Sequence, residues 1–241
     1  KYFHREPVML HYAKKWVMSS AKTNDYIYQK IIGGKPFMVC RFGNTELQTV
    51  VGYLKVKYKG HNTEDDAYLD KWFTRLGKDS GFFPVEYQYL KPFSELILDA
   101  GANADLLAMW HLNMEDFIIE EFASQADLTF LFRLEPWLAP GTPWTAALAG
   151  KKVLVIHPFE HTIQEQYKKR EQIFPDSEIL PKFELKTLKA VQTLCGEKDD
   201  RFMTWFDALD YMYERAIDID FDVAIIGCGA YGMPLEKKKK N

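Results

Sequence analysis

Apolar side chains recur along this chain in two rhythms. Three-and-four spacing, the mark of one buried helical face, runs through Ile27, Ile31 and Ile32 and predicts a helix over 24–32. The same spacing predicts a helix opening over 44–53, with Leu47, Val50, Val51 and Leu54 inward, and further helices over 64–77, 86–100, 162–173 and 200–216, with a short one at 145–148. Unbroken short apolar runs predict buried strands over 36–41, 127–133, 153–157 and 221–226, and a short candidate at 179–181. Helix and strand alternate, so the class is α/β. Strands apolar on both faces, each followed by a helix, predict a mainly parallel sheet with helices on both faces and ligands at the carboxyl ends of its strands. Function is therefore expected in the loops after residues 41, 157 and 226.

Composition narrows the class. Apolar residues make up 47% of the 241 residues and charged ones 27%, an ordinary globular balance that suits one large domain or two small ones. Lys and Arg number 31 against 34 Asp and Glu, so there is no basic field to hold a nucleic acid. The 13 Tyr and 17 Phe follow no period, which argues against an internal repeat. Cys40, Cys195 and Cys228 form no CxxC pair, which disfavours zinc and fits reduced thiols in the cytoplasm. No apolar run reaches the ~18 residues of a transmembrane segment. Lys237 to Lys240 reads as a flexible tail, and either end is expected to lack residues of the full protein.

Candidate chemistry gathers at the three strand ends. After the first come Arg41, Phe42, Gly43, Asn44, Thr45 and Glu46: a cation, a glycine turn, an amide and a carboxylate. Asn44 suits a helix cap, and Glu46 then falls in the first turn, where the helix dipole favours a negative charge. Arg41, at the end of an apolar strand, is expected to meet an anion. After the second strand come His157, Pro158 and Glu160. After the last, Gly227 to Gly232 matches G-x-G-x-x-G between a strand and a helix, where glycines let backbone N–H groups approach a phosphate. The bland alternative is a glycine turn that merely lets strand and helix pack. A dinucleotide site asks in addition for a complete βαβ unit and an acid about 20 residues on. Trp110, Trp137 and Trp144 offer aromatic surfaces of the kind that stack on bases or sugars, or that fill cores.

The segments Phe37 to Leu47, Lys152 to Phe159 and Asp222 to Leu235, in that order, resemble those of bacterial polysaccharide-biosynthesis proteins related to the GT-D fold glycosyltransferases. The likeness runs from about residue 24 to the end. It implies a Rossmann-like three-layer fold in a single glycosyltransferase-type domain over 1–241. It further implies a nucleotide-sugar donor, expected to be UDP-linked, an acceptor glycan carried on lipid or protein, and an Asp-x-Glu signature that engages a divalent metal, Mn²⁺ or Mg²⁺, and the sugar diphosphate. That signature reads Asn44-Thr45-Glu46 here, one negative charge short. On this reading Glu46 and Arg41 are catalytic. Phe42, Gly43, Asn44, His157, Pro158, Gly227, Gly229, Tyr231 and Gly232 bind substrate, and Glu46 with Asn44 holds the metal. Asn44 equally suits a non-catalytic nucleotide- or glycan-binding module, and the glycine turn alone suits a dinucleotide-dependent oxidoreductase.

Overall fold

Ser19 opens the first helix by accepting the Lys22 N–H on its hydroxyl, and Gly34 closes it in left-handed backbone at φ 64°. The computed structural model describes residues 11–175, 178–197 and 199–240. A small hairpin, β1 (His11–Tyr12) and β2 (Lys15–Trp16), precedes that helix, α1 (Ser20–Gly33). Then follow β3 (Val39–Cys40), α2 (Asn44–Lys59), α3 (Thr63–Ser80), α4 (Tyr87–Ala102), β4 (Leu106–Met109), α5 (Glu115–Phe122) and β5 (Asp127–Phe130). Short 3₁₀ turns carry the chain to β6 (Lys152–His157), α6 (Glu160–Tyr167), α7 (Arg170–Ile173) and β7 (Glu184–Lys189). The described chain ends with α8 (Trp205–Ile217), β8 (Val223–Ile226) and α9 (Gly232–Lys240).

The architecture is mixed α/β with small, mostly parallel sheets. One is ordered β3-β4-β5 and another β7-β6-β8, both parallel, while the β1-β2 hairpin is antiparallel. Parallel pairing follows from helical crossovers, since no tight turn can join parallel neighbours. The middle strands take the burial: all four residues of β4 are buried, as are Val153, Leu154 and Ile156 of β6. Among the described residues no ladder joins the two parallel sheets. The edges of β3 and β8 that carry no partner line one cavity of about 460 Å³, with Phe37, Met38 and Val39 on one wall and Val223, Ala224 and Ile225 on the other.

The larger core nevertheless spans both sheets, drawing Leu107 and Leu128 from one and Leu154 and Ile156 from the other. At its middle Phe82 packs on Phe93 and Trp205, and Trp205 stacks on Tyr231 with ring centroids 4.9 Å apart and planes 11° from parallel. A smaller cluster lies under α1, where Ile27 and Ile31 meet Leu106 and Val153.

Several expectations change. The strand expected over 36–41 pairs only at Val39 and Cys40, because the Met38 N–H is taken by the Asp105 carboxylate 2.7 Å away. The 179–181 candidate is not a strand; β7 lies just beyond it, an edge strand whose half-buried alternation with lysines hides its apolar signal. The helix expected over 162–173 is two, broken at Lys168 and Lys169. β8 is half-exposed instead of buried on both faces, since it lines the cavity. The lysine run is no free tail: it continues α9, with Lys237 paired to Asp99 of α4 and Lys238 to Asp210 of α8. Among the described residues no helix is long and apolar enough to cross a membrane.

Candidate functional site

β3 ends at Cys40, and three residues later Gly43 is the N-cap of α2, in extended backbone and without a side-chain cap bond. Asn44 is thus the first helical residue and not the cap the sequence suggests. Glu46, in the first turn, folds its carboxylate back over Gly43. A β-carbon at Gly43 would lie 2.0 Å from Glu46 Oε2, so only glycine fits beneath this carboxylate. The Thr45 hydroxyl donates to Glu46 Oε2 at 2.9 Å and pairs with the Ser80 hydroxyl at the end of α3. Thr49, one turn on, donates to the Trp72 carbonyl of α3 at 3.1 Å, which ties the two helices together. The start of α2 is therefore held by α3 and not by a capping side chain.

Arg41 is exposed, contrary to the expectation that it is buried and must meet an anion. Its guanidinium lies 5.0 Å from the centre of a Trp110 ring, a cation–π contact, and Nη1 donates to the Phe42 carbonyl at 3.2 Å. The Trp110 indole N–H donates to that same carbonyl at 2.9 Å. Trp110 is in turn set by Glu115, whose Oε2 accepts the backbone N–H groups of Trp110 and Leu112 at 3.2 and 3.1 Å. Glu115 is almost fully buried, and that burial pushes its carboxyl above the usual range although these backbone donors pull it down. A buried acid on α5 thus positions an indole, which positions a solvent-facing cation.

Across from this loop, β8 leads into Gly227, Cys228 and Gly229, the last at φ 62°, then one 3₁₀ turn and α9. The strand-before and helix-after context of the glycine pattern is met. Between the two loops lies a cleft of about 570 Å³ at the carboxyl ends of β3 and β8, lined by Arg41, Gly43 to Glu46, and Gly227 to Ala230. It brings together Arg41, Gly43, Asn44, Glu46, Gly227, Gly229 and Gly232 from the expected set. Other expected residues fall elsewhere. Phe42 is buried against Gly101, where a β-carbon would sit 2.7 Å from its ring. Tyr231 is core: besides stacking on Trp205 its hydroxyl lies 3.4 Å from that of Thr193. His157 and Pro158 do not line the cleft. The His157 ring packs against Gly227 on the neighbouring strand, and its Nδ1 accepts the Phe159 N–H at 3.0 Å.

The cleft also holds residues the sequence did not single out for it: Arg75, Asp79 and Ser80 from the last turn of α3, and Glu236 on α9. Arg75 and Asp79 pair with each other at 2.8 Å. Their signal was present only as polar residues before Gly81, which any helix end shows. Trp110 lines the cleft as an aromatic surface, Trp144 lines the cavity between the sheets with its indole N–H on the Leu134 carbonyl, and Trp137 is exposed outside both. Burial pushes the Cys228 thiol up to about 12, so it is held as the neutral thiol at physiological pH.

For a divalent cation, the chain offers the Glu46 carboxylate and the Asn44 amide oxygen at one wall of the cleft. Among the described residues no cluster of three or more His, Cys, Asp or Glu is arranged to hold a metal ion. A six-coordinate Mg²⁺ or Mn²⁺ asks for more oxygens than these two supply. The donor set does not by itself make a metal site. No protein-family model, no curated protein and no solved structure matches this chain.

Proposed function

We propose that this protein is a glycosyltransferase with a Rossmann-like domain, transferring a hexose from a nucleoside diphosphate sugar, a UDP-sugar in our reading, to a lipid- or protein-linked acceptor glycan in the cytoplasm. The observation that carries the reading is the cleft where the loops after β3 and β8 meet. Two helices begin at its walls, α2 and α9, and α2 starts at a glycine without a side-chain cap, which leaves first-turn N–H groups for a phosphate. Arg41 stands at the same wall on its indole support.

The chemistry required is departure of a nucleoside diphosphate. Negative charge grows on the leaving oxygens as the glycosidic bond breaks, and preorganised donors aimed at them lower the barrier. Arg41 and the glycine-loop N–H groups serve that role, with no reorganisation of a flexible capping residue. Glu46, whose carboxylate accepts the Thr45 hydroxyl, takes the proton of the attacking hydroxyl in this reading. A second reading is favoured by Asn44: with one carboxylate fewer than the Asp-x-Glu signature, the cleft would bind a nucleotide or glycan without turnover.

Incubation with UDP-glucose or UDP-galactose and a mixture of glycan acceptors, followed by UDP release, tests the proposal. Release that depends on acceptor supports transfer. UDP binding with no release supports the binding module, and NADH binding in place of UDP would favour the oxidoreductase.

A further inference from the structure

Glu236 sits on α9 where the two cavities adjoin, lining both the cleft and the space between β3 and β8. Its Oε2 is shut off from solvent and has no hydrogen-bond partner among the described residues. The other acids of α9's surroundings are taken: Asp99 of α4 pairs with Lys237 and Asp210 of α8 with Lys238. Of the groups around it, the Cys228 thiol is neutral, and Glu46 and Asp79 lie in the same cleft as the cations Arg41 and Arg75. The cavity between the sheets adds Lys30, Lys35 and Asp222. None of these forms an ion pair with Glu236 among the described residues.

A carboxyl whose one oxygen is buried without a partner, as Oε2 of the half-buried Glu236 is, is expensive as an anion and avoids that cost by keeping its proton. Burial moves Glu236 in that direction, to about 8. The result is an O–H donor at the cleft, whose buried Oε2 has no partner among the described residues.

Resting on the nucleotide-sugar reading above, we propose that Glu236 is a ligand-binding group of the cleft, which as the neutral acid donates a hydrogen bond to an anionic oxygen of the bound nucleoside diphosphate. An ionised carboxylate at this position would instead repel the ligand, so binding is coupled to retention of one proton. A glutamine keeps a donor and cannot ionise, whereas a leucine does neither.

Calorimetric titration with UDP at pH 7, 8 and 9, with folding checked by circular dichroism, tests this on the wild type, Glu236→Gln and Glu236→Leu. UDP's own titration, of its terminal phosphate toward the lower end of this range and of its uracil N3–H toward the upper, is common to all three proteins and cancels when each profile is read relative to Glu236→Gln. Relative to Glu236→Gln, wild-type affinity is expected to fall about tenfold from pH 7 to pH 9, in step with loss of one proton near pH 8. Glu236→Gln is expected to show only the titration of UDP itself, and Glu236→Leu to bind weakly with a profile parallel to that of Glu236→Gln. Parallel wild-type and Gln profiles, or a Leu variant that binds like wild type at pH 7, would overturn the role of Glu236 while leaving the nucleotide reading standing. Absence of UDP binding by the wild type at every pH would overturn both.

Discussion

The carboxylate of Glu46 occupies the space in which Gly43 would carry a side chain: a β-carbon there would stand 2.0 Å from Oε2 and 2.4 Å from the carboxyl carbon. Contacts this close are relieved by moving the carboxylate, the end of a flexible side chain, and not the backbone. The glycine is thus a condition for where the acid points, and the two act as a unit at the start of α2. Gly43→Ala is expected to swing Glu46 away with little change in stability, since only the end of a flexible side chain must give way and the Gly43 backbone, at φ −74°, suits any residue. Thermal unfolding and UDP release, measured together, should part: release falls while the melting temperature stays close to wild type. An unchanged melting temperature with full activity would show that the carboxylate position is immaterial.

Removing the acid while keeping the glycine tests the carboxylate itself. Glu46→Ala gives up one hydrogen bond from Thr45 and a first-turn charge contributing only about 0.3–1 kcal/mol through the helix dipole. Transfer activity should be lost with a melting temperature close to wild type. A large fall in melting temperature would assign Glu46 to the structure of the helix start.

Arg41→Ala is expected to weaken UDP binding by about 1.5–3 kcal/mol, the scale of a charge-assisted hydrogen bond. Because Trp110 carries the guanidinium, Trp110→Ala should reproduce part of that loss with Arg41 still present. Calorimetry on both variants decides it. Equal affinity in Arg41→Ala and wild type would remove the cation from the site.

Asn44→Asp places a second carboxylate beside Glu46 in the first turn of α2, where the dipole accepts it. The variant should bind Mn²⁺ more tightly in the presence of UDP than the wild type does. Titration of UDP with and without Mn²⁺ on both proteins checks this, and coincident curves would show that no cation sits between Asn44 and Glu46.

Glu236 should also leave a mark on folding. Its folded-state value, about 8, lies above its ordinary 4.5, so the folded state binds the extra proton between those values. The stability it contributes is therefore full below about pH 4.5 and is lost as pH rises through 8. Melting temperatures of wild type and Glu236→Gln, compared from pH 5 to pH 9, should diverge in favour of the glutamine as pH rises. Groups common to both proteins, Glu115 among them, cancel in that comparison.

Most long helices were legible because their apolar spacing directly records the face they bury, as at Ile27 and Ile31 of α1 or Leu69, Phe73 and Leu76 of α3. Strands were less so. β4, at the centre of its sheet, is only four residues long, and so short an apolar run gives little to tell it from a helix turn; β7, at an edge, carries lysines that mask it. The loops after residues 41 and 226 were legible as sites because ligands in parallel α/β folds gather at strand carboxyl ends, although β3 and β8 turn out to belong to different sheets. The contribution of α3 was not, since Arg75, Asp79 and Ser80 reach the cleft through the packing of α3 on α2 and carry no pattern of their own. Tyr231 was misplaced for a related reason. A glycine turn fixes where the backbone goes, whereas its tyrosine turned inward to Trp205.

The unshared edges of β3 and β8 bear on how the backbone exchanges its amide hydrogens. β4 and β6 are laddered on both sides, while β3 and β8 are each laddered on one. Exchange into heavy water should therefore be slowest along β4 and β6 and quicken toward the line that divides the sheets, so two separate centres of protection flank the space where Glu236 keeps its proton.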